Sequence, residues 1–147
     1  MNTPHEQIHA TAVAIDGRGV LILGPSGAGK SDLALRLIDE GAILIADDRV
    51  DLTPDNGGVL LSGPATIAGL LEVRGVGIVR MRYETKVSLS LVVDLVEPED
   101  MERLPDRLTG DFMGASVRRI ALDPFQVSAP AKIRLALRAA DRDMLQS

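Results

Sequence analysis

The chain has 147 residues with a formal net charge of −5; 46% of its residues are hydrophobic, 2% are aromatic and none is cysteine. This length favours one domain with its own core, while the acidic charge and scarce aromatics argue against nucleic-acid binding and base-stacking platforms. Without cysteine there is no disulfide framework or thiolate metal site, and without a long apolar run or a signal pattern we expect a cytoplasmic protein that binds no membrane.

The first predicted elements are two strands joined by a tight turn. Residues 1–8 are polar and are predicted to be an irregular lead-in. Residues 9–15 alternate apolar and small side chains, and residues 20–23 form a short apolar run. Because Asp16-Gly17-Arg18-Gly19 between them is a turn signal, the pattern predicts a hairpin, with His9 at one end of a sheet.

The next stretch is a phosphate-binding loop. Gly24-Pro25-Ser26-Gly27-Ala28-Gly29-Lys30-Ser31 fits the pattern G-x-x-x-x-G-K-[ST] at every fixed position. It follows an apolar strand and precedes residues 31–40, which are predicted to form an amphipathic helix ending at Gly41. Backbone N–H groups in such a loop close on an anion, and the helix start adds a positive dipole end. We expect these residues to bind ATP, with Lys30 reaching the β- and γ-phosphates and Ser31 ligating Mg²⁺.

Two adjacent carboxylates follow the strand predicted at residues 42–46. In phosphate-loop folds an acidic residue at a neighbouring strand end often contacts Mg²⁺ or its water, and a carboxylate can also take a proton from an attacking hydroxyl. Successive strand residues point to opposite faces, so only one carboxylate is expected to face the nucleotide unless the strand has ended there. We assign Asp48 as the base and Asp47 as the helper for Mg²⁺, with the reverse as the alternative.

The remaining chain is predicted to be strands, loops and one helix. Residues 52–58 lead into a turn, since Asn56-Gly57 is a strong turn signal. Glycines interrupt the strand-like run at residues 71–80, as is typical of a tight bend. The other predicted elements are strands at 59–61, 87–96 (central) and 117–122, a short helix or irregular segment at 64–71, a loop at 97–109 and an amphipathic helix at 130–144.

Further candidate site residues lie outside the loop. His9 is one of only two histidines, and a histidine can carry or orient a proton. Arg74, Arg80 and Arg103 are candidates for stabilising the charge of a transferred phosphate. Glu72, beside the glycine-rich turn, is a candidate metal ligand. Taken with the loop, these residues predict an enzyme that transfers phosphate.

The chain resembles the catalytic domain of the HPr kinase/phosphorylase family over residues 5–140. Three features carry the resemblance: His9 ahead of the loop, the loop followed by Ile45-Ala46-Asp47-Asp48, and Leu71-Glu72-Val73-Arg74-Gly75-Val76-Gly77-Ile78-Val79, which looks like the family signature. Many NTPases share the loop, whereas the other two features are specific.

The resemblance implies an α/β fold: a phosphate-loop kinase domain, residues 1–147, with a central mixed sheet flanked by helices. Family members use ATP and Mg²⁺ to phosphorylate a serine of the phosphocarrier protein HPr, and many reverse the reaction with inorganic phosphate. The resemblance also implies a homo-oligomer, a hexamer in the full-length family. The residues matched to the family site are His9, Lys30, Asp47, Asp48 and Arg103 for catalysis, and Ser31, Asp47 and Glu72 for Mg²⁺.

Among the departures from the family, two affect what we expect of the chain. It looks like the short form of some proteobacteria, without an additional N-terminal domain. The family segment tied to dephosphorylation, rich in Arg, Pro and Gly, falls near Ser128-Ala129-Pro130-Ala131-Lys132-Ile133, which lacks Arg and Gly. We therefore expect HPr phosphorylation to exceed dephosphorylation. The alternatives are a small-molecule kinase or other phosphate-loop NTPase, with residues 97–114 as its lid, and a non-catalytic nucleotide-binding regulator.

Overall fold

A computed structural model describes residues 5–139, which form an α/β structure. The strands are β1 (Glu6–His9), β2 (Thr11–Ile15), β3 (Arg18–Leu23), β4 (Ile43–Ala46), β5 (Arg49–Asp55), β6 (Gly58–Ser62), β7 (Leu70–Val73), β8 (Gly77–Arg80), β9 (Val87–Leu95), β10 (Leu108–Phe112) and β11 (Ala115–Leu122). The α-helices are α1 (Lys30–Asp39) and α2 (Ala129–Arg138), and two short 3₁₀ turns span Ala65–Ile67 and Pro98–Asp100. In this part of the chain no helix has the length and apolar character needed to cross a membrane.

Nine strands form one mixed sheet, and β7 and β8 form a separate hairpin. The main path is β1-β5-β6-β9-β3-β2-β4, with β11 added beside β9 and β10 beside β11. Strand β9 is central, as predicted: its first residues pair with β6, its last residues with β11, and β3 runs along it. Because β3, β9 and β11 are mutually parallel, their carboxyl ends lie at one edge of the sheet.

The sheet carries an apolar core on each face. Ile22 of β3 packs with Leu33 of α1 and Ile133 of α2 in the core that the helices cover. On the other face the sheet curls over, and Leu21 packs with Leu52 of β5. Neighbouring residues of β3 reach different cores because successive strand side chains point to opposite faces. Side chains of β3 pack into both cores, so the strand that leads into the phosphate loop is held from both faces of the sheet.

The predicted beginning of the fold is confirmed. Strands β2 and β3 form an antiparallel hairpin in which Thr11 lies opposite Ile22. The phosphate loop lies between β3 and α1, as expected from the strand, loop and helix pattern. Helix α1 ends at Asp39, and Gly41 follows with a φ of 113°. A left-handed residue just past a helix is the usual place for glycine.

Two predictions in the first half of the chain are wrong. Residues 6–8 belong to β1, not to an irregular lead-in, and His9 ends β1 where it was predicted to begin the next strand. These residues pair with β5, and the Gln7 amide donates to the Asp51 carboxylate at 2.9 Å. Residues 49–55 are strand β5, where only a turn was expected after residue 52. Pro54 is tolerated because it lies beyond the residues that pair with β1, where its missing N–H is not needed.

Strand β10 was also missed. The prediction made residues 97–109 a loop, whereas β10 begins at Leu108 and pairs with β11.

Arg119 of β11 donates two hydrogen bonds to Asp94 of β9, at 2.9 and 2.7 Å, and its guanidinium lies 5.5 Å from the Phe112 ring centroid. The hydrogen bond to Asp94 raises the pKa of Arg119, and desolvation acts in the opposite direction.

The ends of two other elements differ from the sequence prediction. Residues 64–71 contain the 3₁₀ turn Ala65–Ile67 and, at Leu70 and Leu71, the first two residues of β7. The C-terminal helix α2 spans Ala129–Arg138. Residues 140–144 of the predicted helix lie outside the described residues. The strand predicted at 117–122 is confirmed as the greater part of β11.

Candidate active site

The phosphate loop joins the end of β3 to the first turn of α1. Gly29 is the N-cap of α1 and has a φ of 101°, a left-handed conformation that strains other residues. The Lys30 side chain is only 7% exposed, and its ammonium donates hydrogen bonds to the carbonyls of Gly24 at 2.7 Å and Pro25 at 3.0 Å. The loop thus holds the Lys30 charge over its own first residues, beside the backbone N–H groups of the helix start.

Asp47 is a buried carboxylate fixed by three donors. Its Oδ1 atom accepts hydrogen bonds from the Thr11 hydroxyl at 2.9 Å and the Ser31 hydroxyl at 2.8 Å. Its Oδ2 atom accepts the backbone N–H of Glu72 at 3.3 Å. These donors come from β2, α1 and β7, so this 8% exposed side chain ties three elements together beside the loop. Buried charge of this kind is tolerated when it is fully hydrogen-bonded.

Asp48 lies in a contrasting environment at the mouth of the cleft. Its Oδ1 atom is 2.8 Å from His9 Nε2, and the two side chains are 62% and 55% exposed. The Arg49 guanidinium lies farther away, with Nε 3.9 Å from Oδ2 of Asp48. Asp48 is therefore oriented by a histidine but remains open to a group that approaches from solvent.

A tight turn explains why both carboxylates face the same cleft. Strand β4 ends at Ala46, and the Arg49 N–H donates to the Asp47 carbonyl at 2.9 Å. Asp48, at the centre of this three-residue turn, has a φ of 72°. A positive φ at the centre of such a turn is rare and strained, and such strain is concentrated at functional sites. The strand has ended, so the expected alternation of faces does not apply.

The loop and these acidic residues enclose a cleft of about 530 Å³. From the loop, Ser26, Gly27, Gly29, Lys30 and Ser31 line it. From other elements, the lining residues are His9, Thr11, Asp32, Leu35, Asp47, Asp48, Glu72, Val73, Arg74 and Phe125. The structure therefore brings most of the sequence-predicted site residues into one place, including Glu72 and Arg74 of the β7–β8 hairpin.

Several candidates lie elsewhere. Arg80 is exposed in β8, and Arg103 is exposed between the second 3₁₀ turn and β10; neither lines the cleft. Thr11 and Phe125 line the cleft but were not found from sequence. A single threonine in an apolar strand and a single phenylalanine in a turn carry no motif, so only the tertiary structure shows their positions.

The donor set beside the loop fits Mg²⁺ brought in with a nucleotide. Within residues 5–139, no group of three or more His, Cys, Asp or Glu side chains could hold a metal by itself. Nucleotide-site Mg²⁺ is usually held by one or two carboxylates together with substrate phosphates. The Ser31 hydroxyl and the Asp47 and Glu72 carboxylates are hard oxygen donors of the kind that such a shared site needs.

A mixed sheet, a phosphate loop between strand and helix, and a buried carboxylate hydrogen-bonded to the serine of the loop are the features of a phosphate-loop domain of the kind found in kinases. The family model of the HPr Serine kinase C-terminal domain matches residues 2–136. The chain belongs to this family.

Curated relatives agree with this assignment. An HPr kinase/phosphorylase of Bordetella pertussis is 37% identical over 154 residues, covering 97% of this chain and 49% of the relative. The HPr kinase/phosphorylase of Verminephrobacter eiseniae is 38% identical over 151 residues, covering 94% of this chain and 46% of the relative. The chain thus spans about half the length of the curated relatives it matches.

A solved structure supports the fold. The Hpr(Ser) kinase/phosphatase from Coxiella burnetii superposes with a TM-score of 0.80 at 31% sequence identity. The match covers 90% of this chain and 94% of that one.

Proposed function

We propose that the chain is the catalytic domain of an ATP-dependent protein-serine kinase that phosphorylates the phosphocarrier protein HPr. The observation that carries the proposal is the exposed Asp48–His9 pair, which lies in the same cleft as the phosphate loop. A base next to a phosphate site is the arrangement that a hydroxyl-phosphorylating enzyme needs. The choice of HPr as the protein substrate comes from the names of the relatives.

In the proposed reaction the residues of the loop bind the donor. The N–H groups at the start of α1 and the Lys30 ammonium would hold the phosphates of ATP, and the Ser31 hydroxyl, Asp47 and Glu72 would hold Mg²⁺. Bound Mg²⁺ would neutralise charge on the β- and γ-phosphates. Asp47 would keep the Ser31 hydroxyl aimed at this position through its 2.8 Å hydrogen bond.

In the proposed reaction Asp48 acts on the serine of HPr that accepts the phosphate. The serine oxygen of HPr attacks the γ-phosphorus, the bond from that phosphorus to the bridging oxygen breaks, and ADP leaves. Asp48 accepts the hydroxyl proton, because a serine hydroxyl is a poor nucleophile at neutral pH without a proton acceptor. His9 orients the Asp48 carboxylate through the 2.8 Å hydrogen bond. Arg74, which lines the cleft, is in a position to stabilise phosphate charge, and Arg103 stays a family-based prediction.

The open acceptor side favours a protein substrate over a small molecule. A small-molecule kinase would enclose its acceptor, and residues 97–114 were the candidate lid. None of those residues lines the cleft within the described part of the chain. The exposed carboxylate of Asp48 is instead accessible to a serine on the surface of another protein.

The remaining inferences rest on the family. We infer that residues 1–147 act as one catalytic domain, in the cytoplasm, as a homo-oligomer and by family resemblance a hexamer. HPr would be the partner, and neither nucleic acid nor membrane is expected to bind. The acidic net charge of −5 supports the absence of nucleic acid.

The direction of the reaction is a further part of the proposal. In the segment 128–133, Ala129, Pro130 and Ile133 are buried at the start of α2, and the Lys132 ammonium donates to the Gln126 amide. This segment therefore serves packing and presents no arginine. We expect phosphorylation of HPr to be faster than phosphate-driven release of pyrophosphate from serine-phosphorylated HPr. Comparable rates measured on the same preparation would refute this expectation.

The experiment for the main proposal is incubation with labelled ATP, Mg²⁺ and purified HPr. The expected result is label on HPr, and none on HPr whose target serine is replaced by alanine. ATP binding without transfer to HPr would favour a non-catalytic regulator. Transfer to small hydroxyl compounds in place of HPr would favour the small-molecule kinase.

A further inference from the structure

Phe125 is an exposed aromatic side chain in a chain with very few aromatics. The described structure places it on the wall of the cleft, where the side chain is 68% exposed. Only 2% of the residues in the sequence are aromatic, and the catalytic roles proposed above do not involve this ring. A large apolar side chain kept in solvent beside a ligand cleft indicates a contact with the ligand.

The turn that carries Phe125 is held in place. The backbone N–H of Phe125 donates to Oδ1 of the buried Asp123 at 3.0 Å. Arg36 of α1 donates from its guanidinium to the carbonyl of Gln126 at 3.4 Å and to the carbonyl of Pro124. The turn is thus tied both to the end of β11 and to the helix that follows the phosphate loop. The exposed ring is therefore presented by a fixed backbone.

The ring touches the phosphate loop itself. A Cβ atom placed on Gly29 would lie only 3.2 Å from Phe125 Cζ and 3.3 Å from Cε1, so the far end of the ring lies against this glycine. Strands β3, β9 and β11 are parallel, and the loop and this turn follow β3 and β11 at the same sheet edge. Ligands of open α/β sheets bind in the crevice outside that edge.

The sheet order places Phe125 on the side away from the acidic residues. In the path β11-β9-β3-β2-β4, the strand that leads into the phosphate loop lies in the middle. Asp47 and Asp48 follow β4 on one side, whereas Phe125 follows β11 on the other. The terminal phosphate and its metal are expected on the acidic side, because Ser31 bonds to Asp47 there. A nucleoside whose terminal phosphate lies on the acidic side would then extend toward Phe125.

We propose that Phe125 is the stacking platform for the base of the bound nucleoside triphosphate. This proposal rests on the proposed nucleotide binding and adds the location of the base to it. The scarcity of aromatic residues argued against base-stacking platforms, and this proposal departs from that expectation at one position. Stacking recognises the flat face that every base has, so one aromatic ring is sufficient for a single bound nucleotide. The ring and the loop together would bind the two ends of one ligand: base at Phe125, phosphates at Lys30.

The test compares a ligand that has a base with one that has none. ATP and tripolyphosphate, each with Mg²⁺, are titrated by calorimetry into the parent chain and into Phe125→Ala. The expected result is that ATP binds roughly ten- to hundredfold more weakly to the variant, the scale of losing one stacked base. Tripolyphosphate is expected to bind within about twofold of the parent, since it makes no contact with the ring.

Two further variants make the test specific. Phe125→Trp keeps a stacking face and is expected to retain ATP affinity. Val127→Ala is the matched control: Val127 is on the same segment, is 98% exposed and does not line the cleft. It is expected to bind both ligands like the parent.

Three results would overturn the inference. Phe125→Ala could bind ATP like the parent, or could lose ATP and tripolyphosphate equally. It could also change the mass measured by light scattering at unchanged ATP affinity, which would assign the ring to a subunit contact. Failure of the proposed function gives a different result from failure of the stacking proposal alone. In that case the parent chain would bind neither ATP nor tripolyphosphate, and the stacking proposal would also be wrong.

Discussion

The two ends of the cleft hold their charged groups in different ways. At the phosphate end, formed by Lys30, Ser31 and Asp47, the charges are buried and bonded to the protein. At the acceptor end, formed by His9 and Asp48, the side chains are mostly exposed and bonded to each other. Buried, hydrogen-bonded groups keep one geometry before any ligand arrives, whereas exposed groups remain accessible to a large partner. The difference is what a kinase with a small donor and a protein acceptor requires.

Among the effects on ATP binding, the largest is expected at the phosphate end. Lys30→Ala removes the cation proposed to hold the β- and γ-phosphates, and each charge-assisted hydrogen bond lost is worth roughly 1.5–3 kcal/mol. ATP affinity should therefore fall by about ten- to hundredfold or more. Calorimetric titration with ATP and Mg²⁺ measures the change. Lys86→Ala, an exposed lysine that does not line the cleft, is the control. If Lys30→Ala binds and uses ATP like the parent, the assignment of Lys30 and its loop as the phosphate-binding end of the cleft is wrong.

A smaller effect is expected from the orienting histidine at the acceptor end. His9→Ala leaves Asp48 in place but removes its hydrogen-bond partner, so phosphate transfer should fall by about tenfold, less than the loss of the base itself. ATP affinity should be unchanged. His5, the other histidine, is exposed just before β1 and gives the matched control His5→Ala. If both variants transfer phosphate at the parent rate, His9 has no orienting role.

The smallest effect is expected from a support of the phosphate end. Thr11→Val keeps the shape of the side chain but removes one of the three donors to Asp47. The free energy of unfolding, measured with urea, should fall by about 1 kcal/mol. Thr109→Val, on exposed β10, should change it far less. An equal change in the free energy of unfolding at both positions would mean that the hydrogen bond from Thr11 to Asp47 does not stabilise the fold.

The sequence predicted the local features of this site well. The hairpin before the loop, the loop itself, helix α1 and the central strand β9 are all set by short-range patterns, and each is confirmed. Glu72, a candidate metal ligand beside the glycine-rich turn, lines the cleft, and its role as a ligand stays a prediction. These features depend on neighbours a few residues apart, which is what periodicity and turn signals report.

The features that were missed depend on distant pairing or on unusual backbone. Strand β1 exists only because residues 6–9 pair with β5, forty or more positions later. The turn at Asp48 requires a positive φ in a residue that has no glycine signal, so the sequence could not show that both carboxylates share one cleft. Phe125 reaches the loop only through the parallel pairing of β3, β9 and β11.

The central claim is that Asp48 takes the proton from the acceptor while Asp47 supports the phosphate end. The most direct measurement is ATP binding and HPr phosphorylation on Asp48→Asn and Asp47→Asn side by side, since each change keeps size and removes charge. Asp48→Asn should bind ATP nearly like the parent and transfer phosphate at least about a hundredfold more slowly, the scale of losing a general base. An active Asp48→Asn beside an inactive Asp47→Asn would exchange the two roles, and activity in both would contradict the carboxylate mechanism.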